Sequence, residues 1–440
     1  MNVVLISTYD LGHQPFGLAS PAAWLRERGH HVTAVDLAVG TLPSLAIREA
    51  DAVAFFLPMH TATRLAAEAI AKVRLLNPSA RLLAYGLYAP LNAAYLRELG
   101  VETIAGGEFE RVLADVLGGE PRTAELVSLE RLSFRIPDRA GLPNLALYSK
   151  LRLNGEARIA GYTEASRGCK HLCRHCPVAP VYQGVFRVVQ PEVVIEDVRH
   201  QVSAGATHIT FGDPDFFNGP GHGMRIVRAL HKEFPALTYD VTIKVEHLLK
   251  HREYLPELRD TGCLFVTSAV ESTDNVILAK FDKGHTRADF LEVSRLFRQL
   301  GMVLAPTFVP FTPWTTRKGY QDLLQVIAAE DLIENVASVQ LALRLLIPPG
   351  SLLLELQDIQ ACISGYDKAA LLYRWSNPNP EMDSLASSIL RLVSTEQKRR
   401  RSRRDLFALI WEEAHGAPPR EEFDLIPRAA IPYMDEPWYC

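Results

Sequence analysis

Gly168-Cys-Lys-His-Leu-Cys-Arg-His-Cys-Pro177 sets Cys169, Cys173 and Cys176 in a CxxxCxxC pattern. An iron–sulfur cube takes four ligands, usually Cys thiolates. Three thiolates crowded into one short loop hold three irons and leave the fourth open to a small molecule carrying an amine and a carboxylate. Zinc is the plainer reading, because three Cys with His171 or His175 make a Cys₃His structural site. Paired Cys-x-x-Cys knuckles are the commoner zinc layout, however. The sequence has no second knuckle, since Cys263, Cys362 and Cys440 are isolated.

Around this loop the sequence repeats a strand-then-helix unit at intervals of roughly 30 residues. Residues 159–164 lead into the cysteines. Residues 207–212, 237–244, 264–270, 303–310 and 336–345 read as the next five strands. Six such units predict a partial (β/α)₆ barrel. Barrel chemistry sits at the carboxyl ends of the strands, and the cysteines fall at the end of the first.

The spacing and this position resemble the radical SAM superfamily. There, the open iron binds S-adenosylmethionine (SAM) and cleaves it reductively to a 5′-deoxyadenosyl radical. The resemblance implies contacts to SAM at the other strand ends. His175 holds the place before the third Cys, usually aromatic and against the adenine. In Phe211-Gly-Asp-Pro-Asp-Phe-Phe217, residues Gly212, Asp213 and Pro214 replace a Gly-Gly-Glu-like segment that meets the SAM amino group. Lys244 is placed to pair with the SAM carboxylate, and Ser268 and Glu271 suit the ribose hydroxyls. The alternatives are an Asx-type turn at Asp213 and a helix cap at Glu271. No substrate-side acid or base is assigned.

Residues 1–118 alternate short apolar runs with amphipathic stretches, the pattern of a doubly wound parallel sheet. Standing before a radical SAM motif, this segment resembles the cobalamin-binding domain of the cobalamin-dependent radical SAM group. Asp10-Leu-Gly-His13-Gln-Pro-Phe-Gly17 carries the residue types of the DxHxxG loop of cobalamin domains that bind base-off, at a different spacing, and many radical SAM relatives bind cobalamin without that loop. The resemblance implies cobalamin contacts at His13, Gly106 and Gly107. Against it stand a loop histidine with local hydrogen bonds, a glycine pair needing φ > 0 in a tight turn, and a first domain that merely covers the barrel.

Residues 119–156 collect Pro and Gly and read as a linker, 157–350 as the barrel, and 351–440 as a helical region with an extended tail. The run Lys398-Arg-Arg-Arg-Ser-Arg-Arg404 has no interleaved aromatic residue and reads as a solvated helix face rather than a nucleic-acid site. Pro432-Tyr-Met-Asp-Glu-Pro-Trp-Tyr-Cys440 resembles the tail of a radical SAM subgroup that continues with a second Cys or a selenocysteine, then Ala-Glu-Pro.

Composition is ordinary for a soluble globular protein: 440 residues, 48% hydrophobic, 22% charged, formal net charge −4. That charge argues for neither nucleic acid nor an anionic membrane. Six Cys make no disulfide scaffold, and thiolate ligation needs a reducing compartment. The N-terminus reads as a strand and no apolar run approaches the ~20 residues of a membrane span. The expectation is a cytoplasmic radical SAM enzyme with a [4Fe–4S] cluster, SAM and a cobalamin domain, methylating an unactivated carbon. Its partners would be a small-molecule or peptide substrate and an electron donor such as flavodoxin or ferredoxin. The alternatives are a rearrangement or sulfur/selenium-insertion enzyme with a degenerate first domain, and a non-catalytic zinc or iron–sulfur protein.

Overall fold

The computed structural model describes residues 1–120, 126–419 and 428–435. Cys440 and the rest of the tail motif beyond Asp435 lie outside the described residues.

Six strands build the first sheet: β1 (Asn2–Ser7), β2 (His31–Asp36), β3 (Ala52–Phe56), β4 (Arg81–Tyr85), β5 (Thr103–Gly107) and β6 (Val127–Ser128). Their order is β2-β1-β3-β4-β5-β6, with every pair parallel. Parallel strands need crossovers, which put helices on both faces and bury both. Alternate residues of β1 show this. Val3 and Leu5 join a cluster with Leu18, Leu25 and Leu113, whereas Val4 and Ile6 join Ile70 and Val73 on the other face. The first of these clusters runs on into the barrel core. β6 comes from the segment read as a linker; two residues suffice because β5 supplies the register.

The barrel strands are β7 (Lys150–Leu153), β8 (Glu156–Thr163), β11 (His208–Phe211), β12 (Thr238–Thr242), β13 (Cys263–Glu271) and β14 (Val303–Phe308). Between them lies a hairpin of β9 (Ser166–Gly168) and β10 (Phe186–Val188). β8, β11, β12, β13 and β14 are parallel neighbours; β7 runs antiparallel to β8, and Tyr433–Met434 antiparallel to β7. The helix Arg287–Leu300 illustrates the returns. Thr286 and Asp289 form a capping box, and Gly301 at φ 64° ends the helix. Phe290, Val293 and Phe297 bury one face at helical spacing. Such a cap contributes about 1 kcal/mol.

The sixth expected strand, residues 336–345, does not form. Ser338–Leu341 is a 3₁₀ turn, and a single bridge joins Phe311 to Arg344. Side-chain amides take the place of a neighbouring ladder: Phe308 N donates to Gln340 Oε1 at 3.2 Å, and Asn335 Nδ2 donates to Leu304 O at 2.8 Å. These bonds satisfy an edge whose open N–H and C=O groups would otherwise pair elsewhere.

The C-terminal region packs helices Pro380–Lys398 and Arg403–His415 beside the barrel, but it also holds a hairpin of Ile363–Asp367 and Leu372–Trp375. The basic run spans the turn between those helices rather than one helix face. Arg399 and Arg401 both pair with Glu396 there. Among the described residues, no helix is long and apolar enough to cross a membrane.

One buried cation joins the two domains. Arg167 donates to both Glu110 oxygens at 2.9 and 2.6 Å and to Glu164 at 2.6 Å, with Phe109 and Phe134 rings 5.0 Å away. Removing it would strand desolvated carboxylates, the costly way to break a buried ion pair.

Candidate active site at the cysteine loop

The three cysteines lie between β9 and β10, at the carboxyl end of β8. Gly168 starts the loop at φ 73°. A Cβ there would stand 2.3 Å from Tyr182 Cδ1 and 2.5 Å from Val185 O, so only glycine fits. Asn218, in the loop after β11, holds one side: its Oδ1 accepts from Lys170 N at 3.1 Å and its Nδ2 donates to Gly168 O at 3.3 Å. Arg174 holds the other side, its N–H donating to Phe281 O at 2.9 Å. Neither anchor was legible in sequence. Asn218 lies 49 residues from Cys169, and no local pattern links them.

Cys169, Cys173 and Cys176 are free thiols. Burial raises Cys169 and pushes Cys176 up to about 11. Such thiols become ligands when a metal takes the proton's place. Lys244, at the end of β12 and nearly buried, brings Nζ to 3.7 Å from Cys173 Sγ. Both histidines that could complete a zinc site direct Nε2 elsewhere. His175 Nε2 is 3.1 Å from Glu271 Oε1, and His171 Nε2 is 3.2 Å from His247 Nε2.

Glu271 ends β13 across a bulge and carries φ 67°, a left-handed backbone rare outside glycine. Such strain collects at functional sites. It does not cap the next helix: Asp274 does so, accepting from Val276 N at 2.8 Å. Burial raises the Glu271 carboxyl, but Lys283 and His175 outweigh it and hold the group at about 2, ionised. His175 packs on Phe281 with centroids 4.4 Å apart, and burial lowers its pKa against the pull of Glu271. His175 Nδ1 and Ser268 Oγ are buried with no hydrogen-bond partner. Unsatisfied atoms of this kind beside three thiols suit a polar ligand.

The strand end after β11 divides the expected residues. Gly212 is required because a Cβ would lie 1.8 Å from Tyr162 Oη. The Asp213 carboxylate is already engaged, accepting from Ala165 N at 2.9 Å and Ser166 Oγ at 2.5 Å. Its side chain thus ties the loop after β11 to the turn between β8 and β9. Asp215 reaches His247.

The three residues expected at cobalamin do not meet. His13 stacks on Tyr162 at 4.8 Å and, with Asp10, lines a barrel cavity of 290 Å³. Gly107 instead lines a 160 Å³ cavity with Gly86, Arg167 and Tyr182. Both glycines answer to packing: a Cβ at Gly107 would meet Ser128 O at 2.2 Å, and one at Gly106 would meet Pro90 Cγ at 2.6 Å. At the other flank of the same sheet edge, Thr8, Tyr9, Leu37, Thr61 and Tyr148 border a cavity of 630 Å³.

Comparison with known proteins follows the same outline. A stretch of 151 residues, 34% of this chain, is 28% identical to the hopanoid C-3 methylase of Methylococcus capsulatus and covers 29% of it. The cobalamin-dependent S-adenosylmethionine radical enzyme OxsB, solved with aqua-cobalamin and S-adenosylmethionine bound, superposes with a TM-score of 0.66 at 15% identity over 88% of this chain and 65% of its own. The radical S-adenosylmethionine methyltransferase TsrM from Kitasatospora setae, with cobalamin and a [4Fe-4S] cluster bound, gives 0.59 at 15% identity over 75% and 70%. The chain therefore spans under a third of the methylase and just under two thirds of OxsB. These structural likenesses establish a shared fold. Residues 163–315 match the radical SAM superfamily. That segment opens on the last residue of β8 and closes beyond β14, framing the cysteine loop.

Proposed function

We propose that the protein holds a [4Fe–4S] cluster on Cys169, Cys173 and Cys176, cleaves SAM, and transfers a methyl group to an unactivated carbon with cobalamin on its first domain. The observation that carries this reading is Lys244 Nζ at 3.7 Å from Cys173 Sγ, which sets a buried cation beside the thiols. When bound, the cluster supplies the electron that splits SAM into methionine and a 5′-deoxyadenosyl radical.

The chain's own residues bind and orient. Lys244 offers a charge partner to a carboxylate. Ionised Glu271 and the unpartnered Ser268 Oγ offer an acceptor and a hydroxyl to a ribose. His175, backed by Phe281, offers a flat ring to an adenine. A substrate filling the lumen below would exclude water, which protects reactive intermediates. An external one-electron donor such as flavodoxin or ferredoxin would reduce the cluster.

Cobalamin is supported by the order of the two domains, shared with OxsB and TsrM, and by the 630 Å³ cavity at the sheet edge, within the range of small-ligand sites. A second reading, in which the first domain carries nothing, is favoured by the Arg167 cluster filling the space beside the 160 Å³ cavity.

Anaerobic reconstitution with iron and sulfide, then SAM and dithionite, tests the proposal through 5′-deoxyadenosine. About four irons per chain and a steady product signal are expected, with loss of both in C169A, C173A and C176A. One zinc per chain and no 5′-deoxyadenosine would overturn it.

A further inference from the structure

Five parallel strands leave one side of the barrel open, and two distant segments close it. Residues 10–13 enter from the first domain against Tyr162. Tyr433–Met434 adds to β7 from the far end of the chain, and residue 428, just before it, reaches the β14 side. The result is the 290 Å³ lumen. Strand residues alternate in facing, so Thr242 and Asp240 share one face of β12 and line the lumen, with Lys244 two residues beyond the strand at the cysteine loop. Thr267 and Phe265 of β13 line the same depth.

The far end of this lumen carries two arginines. The Arg428 guanidinium lies 3.4 Å from the Tyr433 ring centroid, and that of Arg403 lies 5.7 Å away. Arg403 Nη1 donates to Glu334 O at 2.9 Å. Arg428 Nη2 is buried with no hydrogen-bond partner. Among the described residues, Glu334 is the carboxylate facing both, and its own Oε2 is likewise buried and unpartnered. Burial depresses both guanidinium pKa values, that of Arg428 to about 9 with Arg403 adding to the effect. Arg403 and Arg428 thus share one carboxyl group, which Arg404 also faces and bonds through its backbone N–H. A purely structural cluster would satisfy the buried N–H, because an orphaned charged donor costs more than an ordinary one.

We propose that Arg403 and Arg428 form an anion subsite at the floor of the lumen, holding the carboxylate or phosphate of a small substrate whose body extends past Thr242 and Thr267 toward the cysteine loop. Guanidinium forks match both oxyanions in bidentate geometry. Tyr433 fixes the plane of the Arg428 fork, and the hydroxyls of Thr210, Thr242 and Thr267 suit a polar body. The inference rests on the radical SAM reading only in taking the lumen as the substrate site.

Calorimetric titration of the reconstituted full-length protein with inorganic phosphate, and separately with acetate, tests it. At low ionic strength one of the two should bind, and R428Q or R403Q should weaken that binding at least tenfold. A response to phosphate identifies a phosphorylated substrate, and one to acetate a carboxylate. Equal binding to wild type and both variants, or no binding of either anion to wild type, overturns the proposal. Where R428Q fails to fold, R403Q carries the test. Substrate-free 5′-deoxyadenosine formation is measured on the same samples. Its loss in wild type sinks the radical SAM reading while the anion titration still decides the subsite. Its retention in R428Q alongside lost anion binding is the expected result.

Discussion

His247 Nδ1 lies 2.6 Å from Asp215 Oδ2, both nearly or wholly buried, and its Nε2 continues at 3.2 Å to His171 Nε2 inside the cysteine loop. The Asp215–His247 contact is close but off the hydrogen-bond direction, and neither atom has another hydrogen-bond partner. The other Asp215 oxygen accepts from Phe217 N at 3.1 Å. One carboxylate thus ties the loop after β11, the helix after β12 and the cysteine loop together. D215A should lower the stability of the apo-protein by about 1–3 kcal/mol, and H171A, on a more exposed side chain, by less. Urea unfolding of the two variants decides; equal effects would contradict the ordering.

Gly168 is the hinge of the ligand loop. With φ at 73° and no room for a Cβ, G168A must move Tyr182 or the loop. The left-handed backbone alone costs a non-glycine residue about 1–2 kcal/mol. The variant should retain all three cysteines yet take up less than half the iron of wild type after reconstitution. Full iron content by colorimetric assay would show that the loop tolerates the shift.

Lys244 and the cluster can be separated by substitution. K244M should keep its iron but bind SAM at least tenfold more weakly, about 1.4 kcal/mol or more. Equilibrium dialysis with labelled SAM gives the answer, and unchanged affinity would remove Lys244 from the SAM site.

Glu108 links stability to pH. Burial raises its carboxyl to about 7, against the opposing pull of Arg167, with Glu110 and Glu164 adding to the rise and Tyr182 countering it. A raised carboxyl binds its proton more tightly folded than unfolded. Its contribution is therefore full below the ordinary carboxylate range, near pH 4.5, and is lost as pH rises through about 7. E108Q, which cannot ionise, should be the more stable protein above pH 7, by on the order of 3 kcal/mol. Thermal melts of both proteins at pH 5.5 and pH 8 test this, and parallel curves would refute it.

Cobalamin binding distinguishes the two readings of the first domain. Purified protein incubated with hydroxocobalamin and desalted should retain about one corrin per chain, read by its visible absorbance. None retained by folded protein would leave the first domain as a cover for the barrel.

The sequence alone determined the class of chemistry and the place where it sits. CxxxCxxC is a local pattern, the spacing of apolar runs is local, and the rule that barrel chemistry gathers at strand ends converts one into the other. The position of Lys244, Ser268 and Glu271 at the strand ends around that loop was legible for that reason, as was the doubly wound first sheet. What the tertiary structure alone decided depends on partners far apart in the chain. Asn335 and Gln340 cap β14 with side-chain amides, so the sixth strand gives way to a turn, and no periodicity reports that. Asp213 spends its carboxylate on Ala165 and Ser166, and His13 stacks on Tyr162 instead of joining Gly107. Arg428 and Tyr433 meet Arg403 only because a two-residue strand pairs with β7 across nearly the whole barrel sequence. Strand pairing of that length has almost no signature of its own; the sheet edge that receives it supplies the register.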